Sequence, residues 1–392
     1  MRLQTIKQVV NHKLCIGCGL CELDDRVKMV EYGGMYSPDL IPESSAIEAS
    51  CPSKGYDLKN LGHDLFGDAH YCAEIGYYRK ILLAHTRRET LLKKASSGGM
   101  ITEVALNLLS KGLVDGVITT RFTIENNKVR AQTYIAKSEQ ELIDGQGSKY
   151  CPTSTLAVLK QLDLSRRYLL IGTPCQIAGF RLYSEHNTLL KTTVPYTIAN
   201  FCGGYRDYRE LDYFISEIAH IKDVETFRHR GGGQPGSMRI EGKNGEVFQY
   251  PYPDYARISP FVKNERCTLC MDATGELADF SCGDAWLENR DKSHPWSIIL
   301  GRSEFASQFL EEMVGEGGIS IDEKIDAKMV IESQRSNITS KKYRQNKRIK
   351  ARNSLLMYSP CWKEANEFTG GNYMGELRII LSKLKAKWLH KH

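Results

Sequence analysis

The sequence predicts an α/β protein, α+β overall, with a small cysteine-rich module in front and a basic helical segment behind. Three observations carry this expectation. Cysteines cluster early, as Cys15-x2-Cys18-x2-Cys21, with Cys51-Pro52 further on. From about 78 to 320, apolar runs of strand length alternate with Gly- or Pro-rich loops and helical periodicity. From Ser333 to Lys363 there is no Asp or Glu, while lysines and arginines accumulate. The expected segments are 1–75, 78–330 and 331–392.

A chain of 392 residues has room for two or more domains with ample core. With 41% apolar and 26% charged residues it has the composition of an ordinary globular protein. No run of eighteen apolar residues occurs, which argues against a membrane-spanning helix. The first thirty residues lack a signal-peptide pattern, so a cytoplasmic location is the default expectation. The net charge of +6 lies mostly in the basic segment.

The elements follow in order. Val30-Glu31-Tyr32 and Met35-Tyr36 flank Gly33-Gly34 and read as a hairpin. Gly55, Gly62 and Gly67 suggest an irregular linker. Lys80 to His85 reads as a buried strand. After Ser96-Ser97-Gly98-Gly99, the apolar positions Ile101, Val104, Ala105, Leu108 and Leu109 share one helical face, and Gly112 is a natural stop. Val117–Thr120, Tyr168–Ile171 and Val194–Ala199 are further strands. The last two end in Gly172-Thr173-Pro174-Cys175 and Asn200-Phe201-Cys202-Gly203-Gly204. Helices are expected from Gln176 to Leu182 and over about 208–220. Asn244-Gly245 marks a second hairpin, Ser297 to Leu300 a strand and Glu304 to Val314 a helix. From about 374 a basic helix carries Leu377, Ile380, Leu381, Leu384 and Trp388 on one face. Repeated strand–loop–helix units predict a largely parallel sheet, with ligand sites beyond the carboxyl ends of its strands.

Twelve cysteines in a long chain, paired as C-x-x-C and without an export signal, favour metal over disulfides. Cys15, Cys18, Cys21 and Cys51 have the spacing of a [4Fe–4S] cluster in a bacterial ferredoxin. A zinc knuckle is the plainer alternative, since zinc also takes four thiolates. Cys267-x2-Cys270 with Cys175 and Cys202 makes a second set of four; by spacing alone, Cys151 or Cys282 can replace one member. Ser97-Gly98-Gly99 before a helix suits an anion, although serine is also simply a good N-cap. Gly147-Ser148-Lys149 is a second such loop. Phe227-Arg228-His229-Arg230 suits an anionic substrate or a solvated turn.

Together these pieces resemble the beta subunit of coenzyme F420-reducing hydrogenase and dehydrogenase, a family whose relatives include 7-hydroxymethyl chlorophyll a reductase. The residues that carry the resemblance are Ser97-Gly98-Gly99, Val114-Asp115-Gly116-Val117, Gly147-Ser148-Lys149-Tyr150, Gly172-Thr173-Pro174-Cys175-Gln176, Phe227-Arg228, Cys267-x2-Cys270 and Gly283-Asp284-x-Trp286. The resemblance implies FAD and one or two [4Fe–4S] clusters. It strengthens the second set of cysteines, and it places Ser97, Gly98, Gly99, Gly147, Ser148, Lys149, Tyr150, Gly172, Thr173 and Pro174 near the flavin. The family commonly has Cys-His-Gly where this chain has Cys202-Gly203-Gly204, and Gly-Trp where Gly231-Gly232-Gly233-Gln234-Pro235 stands. These departures border the substrate side.

The functional expectation is an oxidoreductase. Electrons enter from ferredoxin or a partner subunit at the first cluster and pass through the second to FAD. Hydride is then exchanged with coenzyme F420 or, alternatively, with an organic biosynthetic substrate. Lys149, Arg228 and His229 are the candidates for orienting the substrate or supplying a proton. A reading of another class is a zinc-stabilised nucleic-acid-binding protein using the basic segment; a solvated tail is preferred because aromatic interleaving is sparse. The C-terminal helix is expected to pack by its Leu/Ile face, leaving its lysines for a partner or a membrane surface.

Overall fold

The computed structural model describes residues 1–258, 263–287, 295–322 and 325–389, with the backbone alone at 256 and 386–389. Its centre is an eight-stranded mixed sheet. Strands β1 (Lys80–Thr86), β2 (Gly116–Glu125), β3 (Lys128–Ala136), β4 (Tyr168–Gly172), β5 (Tyr196–Asn200), β6 (Phe280–Asp284), β7 (Ser297–Gly301) and β8 (Ile319–Asp322) lie in the order β8-β1-β7-β6-β5-β4-β2-β3. Only the middle, β6-β5-β4-β2, is parallel, with Phe280 opposite Ile198, Leu169 opposite Tyr196 and Gly116 opposite Tyr168. Both flanks are antiparallel. The expected largely parallel sheet is therefore mixed. One cause is the β2–β3 hairpin, which turns on Asn126 and Asn127 at φ +49° and +60°, a conformation asparagine tolerates better than most residues.

Both faces of the sheet are covered, which explains the unbroken apolar runs in β4 and β7. Helix α1 (Met100–Ser110) packs Met100, Val104 and Leu108 against Leu169, Ile198 and Ile299, beside Phe309 and Leu310 of helix α3 (Glu304–Gly315). Helix α2 (Pro174–Ser184) packs on the opposite face. There Ile177 and Phe180 join Ile118 and Leu170, Ile16 and Leu20 of the cysteine-rich module, and Trp362 and Phe368 near the C-terminus. All three sequence segments thus share one core.

The Gly33-Gly34 hairpin forms as expected, pairing Met29–Tyr32 with Met35–Pro38. The Asn244-Gly245 hairpin joins two strands of a separate three-stranded sheet. The expected irregular linker is a helix, Leu58–Phe66, capped by Asp57, which accepts from the Asn60 N–H. Gly62 sits inside it because an added Cβ would stand 2.9 Å from the Tyr77 ring.

The basic segment is not a solvated tail. It forms helices Ala327–Ser333, Arg335–Ile338 and Gln345–Ser354, and buries Lys341, Lys342, Arg348 and Arg352. Their partners come from distant stretches: Lys342 pairs with Glu276 at 2.8 Å, Arg348 with Glu376 at 3.0 Å and Arg352 with Glu265 at 2.5 Å. The final helix α4 (Tyr373–Leu389) buries Glu376 and Ile380 but exposes Leu381 and Leu384. Its packing face is rotated from the expected stripe, and the side chain of Trp388 lies outside the described residues. Among the described residues no helix is long and apolar enough to cross a membrane.

Candidate functional site

The first cysteine loop turns on Gly17 and Gly19, at φ +66° and +91°. A Cβ at Gly19 would come within 2.6 Å of the Ala157 nitrogen, so the loop is pressed onto the main domain. The Leu156 N–H donates to the Cys18 carbonyl at 2.8 Å. Cys15, Cys18, Cys21 and Cys51 come together. Burial pushes the Cys15 thiol up to about 12, with Cys51 adding to the rise. Cys18 and Cys21 are raised by burial and then by the other thiols of the set. The Gly17 N–H donates to Cys15 Sγ at 3.3 Å.

The second set also converges. Cys175 lies in the first turn of α2, Cys202 follows β5, and Cys267 and Cys270 lie in and just after the short helix Glu265–Thr268. Burial raises Cys175, and Cys202, Cys270 and Cys267 raise it further. Cys267 is pushed up to about 12 by burial and then by Cys202. The Gly204 N–H donates to Cys202 Sγ at 3.3 Å. Of the two alternatives, Cys151 lies beside Tyr208 and Lys149 and Cys282 beside Ser297, and both line the neighbouring cavity. Among the described residues no three Cys, His, Asp or Glu side chains close around a single metal ion. Between the two sets sits half-buried Tyr205, whose hydroxyl donates to the Ile16 carbonyl at 2.5 Å. Its pKa is raised by burial and then by Cys267, Cys175, Cys15 and Cys18.

A cavity of about 240 Å³ opens beyond the carboxyl ends of β4 and β5. The three Gly/Ser/Thr loops meet there. Ser97, Gly99, Gly147, Ser148, Lys149, Tyr150, Gly172 and Thr173 line it, together with Cys175 and Cys202. Gly98 and Pro174 stand behind the wall. A Cβ at Gly98 would meet the Ala84 carbonyl at 2.5 Å, so this glycine lets the loop lie on the sheet. Ser96 ties two of the loops together, accepting from the Ser148 N–H at 3.3 Å and donating to the Arg230 carbonyl at 3.2 Å. At the third loop, Gln176 accepts from the Thr173 N–H at 2.8 Å and donates to Thr153. This fixes the start of α2 at the wall.

The Lys149 ammonium donates to the carbonyls of Gly145, Gln146 and Gly147, clamping its own loop. Burial lowers its pKa to about 8. His229 is fully buried outside the cavity wall, where Nδ1 accepts from the Tyr150 N–H at 3.2 Å. Burial, then Lys149 and Arg206, lower it to about 3, so it is neutral near pH 7. Arg228 is exposed and is not a cavity residue. Arg230, two residues on, is 1% exposed and lines the cavity. It pairs with Asp284 and lies 4.8 Å from the Tyr252 ring. The sequence places Arg230 in the segment suited to an anion, but singles out Arg228 and His229 as the candidates. The strand ends at Arg228, so its alternation stops there.

Comparison with known proteins places these features in a family. The coenzyme F420 hydrogenase/dehydrogenase beta subunit matches in two parts, its N-term over residues 81–160 and its C terminus over 165–327. The coenzyme F420 hydrogenase subunit beta of Methanococcus voltae is 26% identical over 291 residues, 73% of this chain and 99% of that protein. The chloroplastic 7-hydroxymethyl chlorophyll a reductase of Oryza sativa is 24% identical over 279 residues, 69% of this chain and 54% of that one. The chain spans 65% of the length of an uncharacterised Methanocaldococcus jannaschii relative, 27% identical over 254 residues, or 61% of this chain. In fold it is similar to a chain of the F420-reducing NiFe hydrogenase complex from Methanosarcina barkeri. The TM-score is 0.56 at 18% identity, covering 73% of this chain and 96% of that one.

Proposed function

The chain belongs to the coenzyme F420 hydrogenase/dehydrogenase beta subunit family of oxidoreductases, and on that premise we propose that it is an iron–sulfur flavoprotein. In this reading Cys15, Cys18, Cys21 and Cys51 hold one [4Fe–4S] cluster. Cys175, Cys202, Cys267 and Cys270 hold another, and FAD occupies the cavity. The observation that carries the reading is a shared wall: Cys175 and Cys202 border the same cavity as the three Gly/Ser/Thr loops.

The residues present fit these groups. Buried thiols that raise one another's pKa keep their protons unless a cationic core offsets the charge, which is what a metal cluster supplies. A tetrahedral zinc, with bonds of about 2.3 Å, holds its sulfurs within about 4 Å of one another. A cubane holds its cysteine sulfurs further apart, and each of the two sets supplies the four thiolates it takes. A volume of about 240 Å³ suits a flavin ring system rather than a whole dinucleotide within the walls.

Bound flavin would supply the exchange between single electrons and hydride. The protein's own residues prepare the place for it. Ser97 to Gly99 present the N-terminus of α1, where free N–H groups attract an anion. Lys149 shapes the 145–150 loop through three carbonyls and adds positive charge. Arg230, held by Asp284, favours negative charge developing at the wall. His229 holds Tyr150 in place through its backbone N–H. Cys175 and Cys202 are partly exposed only beside the cavity they line, whereas Cys15, Cys21 and Cys51 are partly exposed away from it, so the first cluster is the side from which a ferredoxin or partner subunit exchanges electrons.

The substrate is coenzyme F420 or an organic molecule of a biosynthetic pathway. Anaerobic mixing of the oxidised holoprotein with reduced coenzyme F420 tests the choice. Bleaching of the flavin assigns the coenzyme; bleaching by reduced ferredoxin alone assigns the organic substrate. A flavin that neither donor reduces overturns the reading.

A further inference from the structure

Two buried groups from opposite ends of the chain meet at the second thiol set. Tyr56, from the N-terminal module, is 7% exposed, and its ring packs edge-on to Trp362 at 4.8 Å. Its hydroxyl is buried and has no hydrogen-bond partner among the described residues. After burial itself, the groups that raise its pKa are Asp272, Cys270 and Cys175. Trp362, on which the ring packs, donates to the Leu269 carbonyl between Cys267 and Cys270 at 2.8 Å, so the Tyr56 ring lies against the loop of that thiol set. A buried phenol ordinarily finds a partner, and this orphaned hydroxyl calls for an acceptor there. Lys341, from the C-terminal segment, is 4% exposed and donates to the Asp272 carbonyl at 2.7 Å. Cys270 Sγ donates to that same carbonyl at 3.4 Å, so ammonium and thiol share one oxygen.

The first set is surrounded differently. Near Cys51 the Lys54 ammonium is offset by Glu48 at 3.5 Å, and the buried Arg266 guanidinium is engaged by the Ser53 and Pro52 carbonyls. Hydrogen bonds to the sulfurs of this set come from backbone N–H groups, among them Gly17 onto Cys15 and Ser53 onto Cys51. A hydrogen bond to sulfur and a nearby cation both favour the reduced, more negative state of a cluster.

We propose that the Tyr56 hydroxyl donates a hydrogen bond to a sulfur of the cluster held by Cys175, Cys202, Cys267 and Cys270. Together with Lys341 it raises that cluster's reduction potential above that of the N-terminal cluster. Electrons arriving at the exposed cluster then run downhill toward the cavity. This inference rests on the cluster assignment above, and the experiment separates the two.

The full-length protein is reconstituted anaerobically as wild type, Tyr56→Phe and Lys341→Met. Iron and sulfide counts on Cys18→Ser and Cys202→Ser test the cluster assignment by itself, since each variant loses one cluster's iron if it is right. These two variants also tell which signal belongs to which cluster in a redox titration followed by electron paramagnetic resonance. Tyr56→Phe is expected to lower the second cluster's midpoint by ~59 mV, which corresponds to a ten-fold change in a one-electron ratio. The first cluster stays where it was, and Lys341→Met moves the second in the same direction. An unmoved second midpoint, or two wild-type clusters at one potential, overturns the proposal. Thermal unfolding of the apoprotein provides the second measurement. Apo Tyr56→Phe melts no lower than apo wild type, because it removes an orphaned hydroxyl. A lower apo melting point gives the hydroxyl a purely structural role and overturns the proposal as well.

Discussion

Gly204 is the position where backbone and proposed cluster chemistry meet most tightly. Its φ is +105°, a region only glycine adopts without strain. Replacing it with alanine costs about 1–2 kcal/mol of backbone strain. The new Cβ would stand 3.0 Å from Cys267 Cβ, 3.4 Å from Lys263 Cδ and 3.7 Å from Cys267 Sγ. Relief requires the loop to back away, and the loop carries both Cys202 and the N–H that donates to its sulfur. Strain of this size corresponds to roughly 5–30-fold in an equilibrium. Gly204→Ala is therefore expected to lose the second cluster's iron to an anaerobic chelator about 5–30 times more readily, with the first cluster unchanged. Gly203→Ala is the control. Its φ is not positive, and its Cβ would meet only the side-chain end of Asn337, at 2.8 Å. If Gly204→Ala holds all its iron as firmly as wild type, the geometric argument for the second set is wrong.

Three further outcomes follow from the same geometry. Lys149→Met should weaken FAD binding measured by fluorescence titration, because the 145–150 loop loses its clamp and its charge. In the wild type that charge is lost as pH rises through about 8, so affinity falls between pH 7 and 9, and the variant's profile is flat. Stability moves the other way. Between about 8 and 10.5 the unfolded lysine holds a proton that the folded one has released, so stability rises with pH across that window, and Lys149→Met removes the rise. Glu376→Leu leaves buried Arg348 without its carboxylate and should cost about 3–5 kcal/mol in denaturant unfolding; a change under about 1 kcal/mol would return the basic segment to the role of a surface tail.

Much of the fold is legible from spacing. The strands that became β1, β4, β5 and β7 and the helices α1 to α3 stand out because burial on one or both faces imposes a strong pattern. The thiol sets differ in this respect. Cys15 to Cys21 is a local motif, readable directly. Cys175 and Cys202 meet because β4 and β5 lie side by side, an adjacency no local spacing encodes, and Cys267 joins them from the separate helix Glu265–Thr268. Arg230 was hidden because a strand ends one residue before His229. The basic segment misled for a related reason: Glu265, Glu276 and Glu376, which neutralise it, lie outside the acid-free run from Ser333 to Lys363. Once Lys341, Lys342, Arg348 and Arg352 are buried, a nucleic-acid surface built on them loses its footing. Tyr56, between Gly55 and Asp57, and Tyr205, between Gly204 and Arg206, carried no sequence signal at all, since a tyrosine in a polar, Gly-flanked stretch looks like any loop residue.

The most direct test of the central claim is elemental and cofactor analysis of the anaerobically purified, reconstituted protein. Two [4Fe–4S] clusters and one flavin predict about eight iron atoms, about eight sulfides and about one FAD per chain, with no stoichiometric zinc. About four irons would remove the second cluster. A colourless protein carrying zinc, with neither iron nor flavin after reconstitution, would contradict the account.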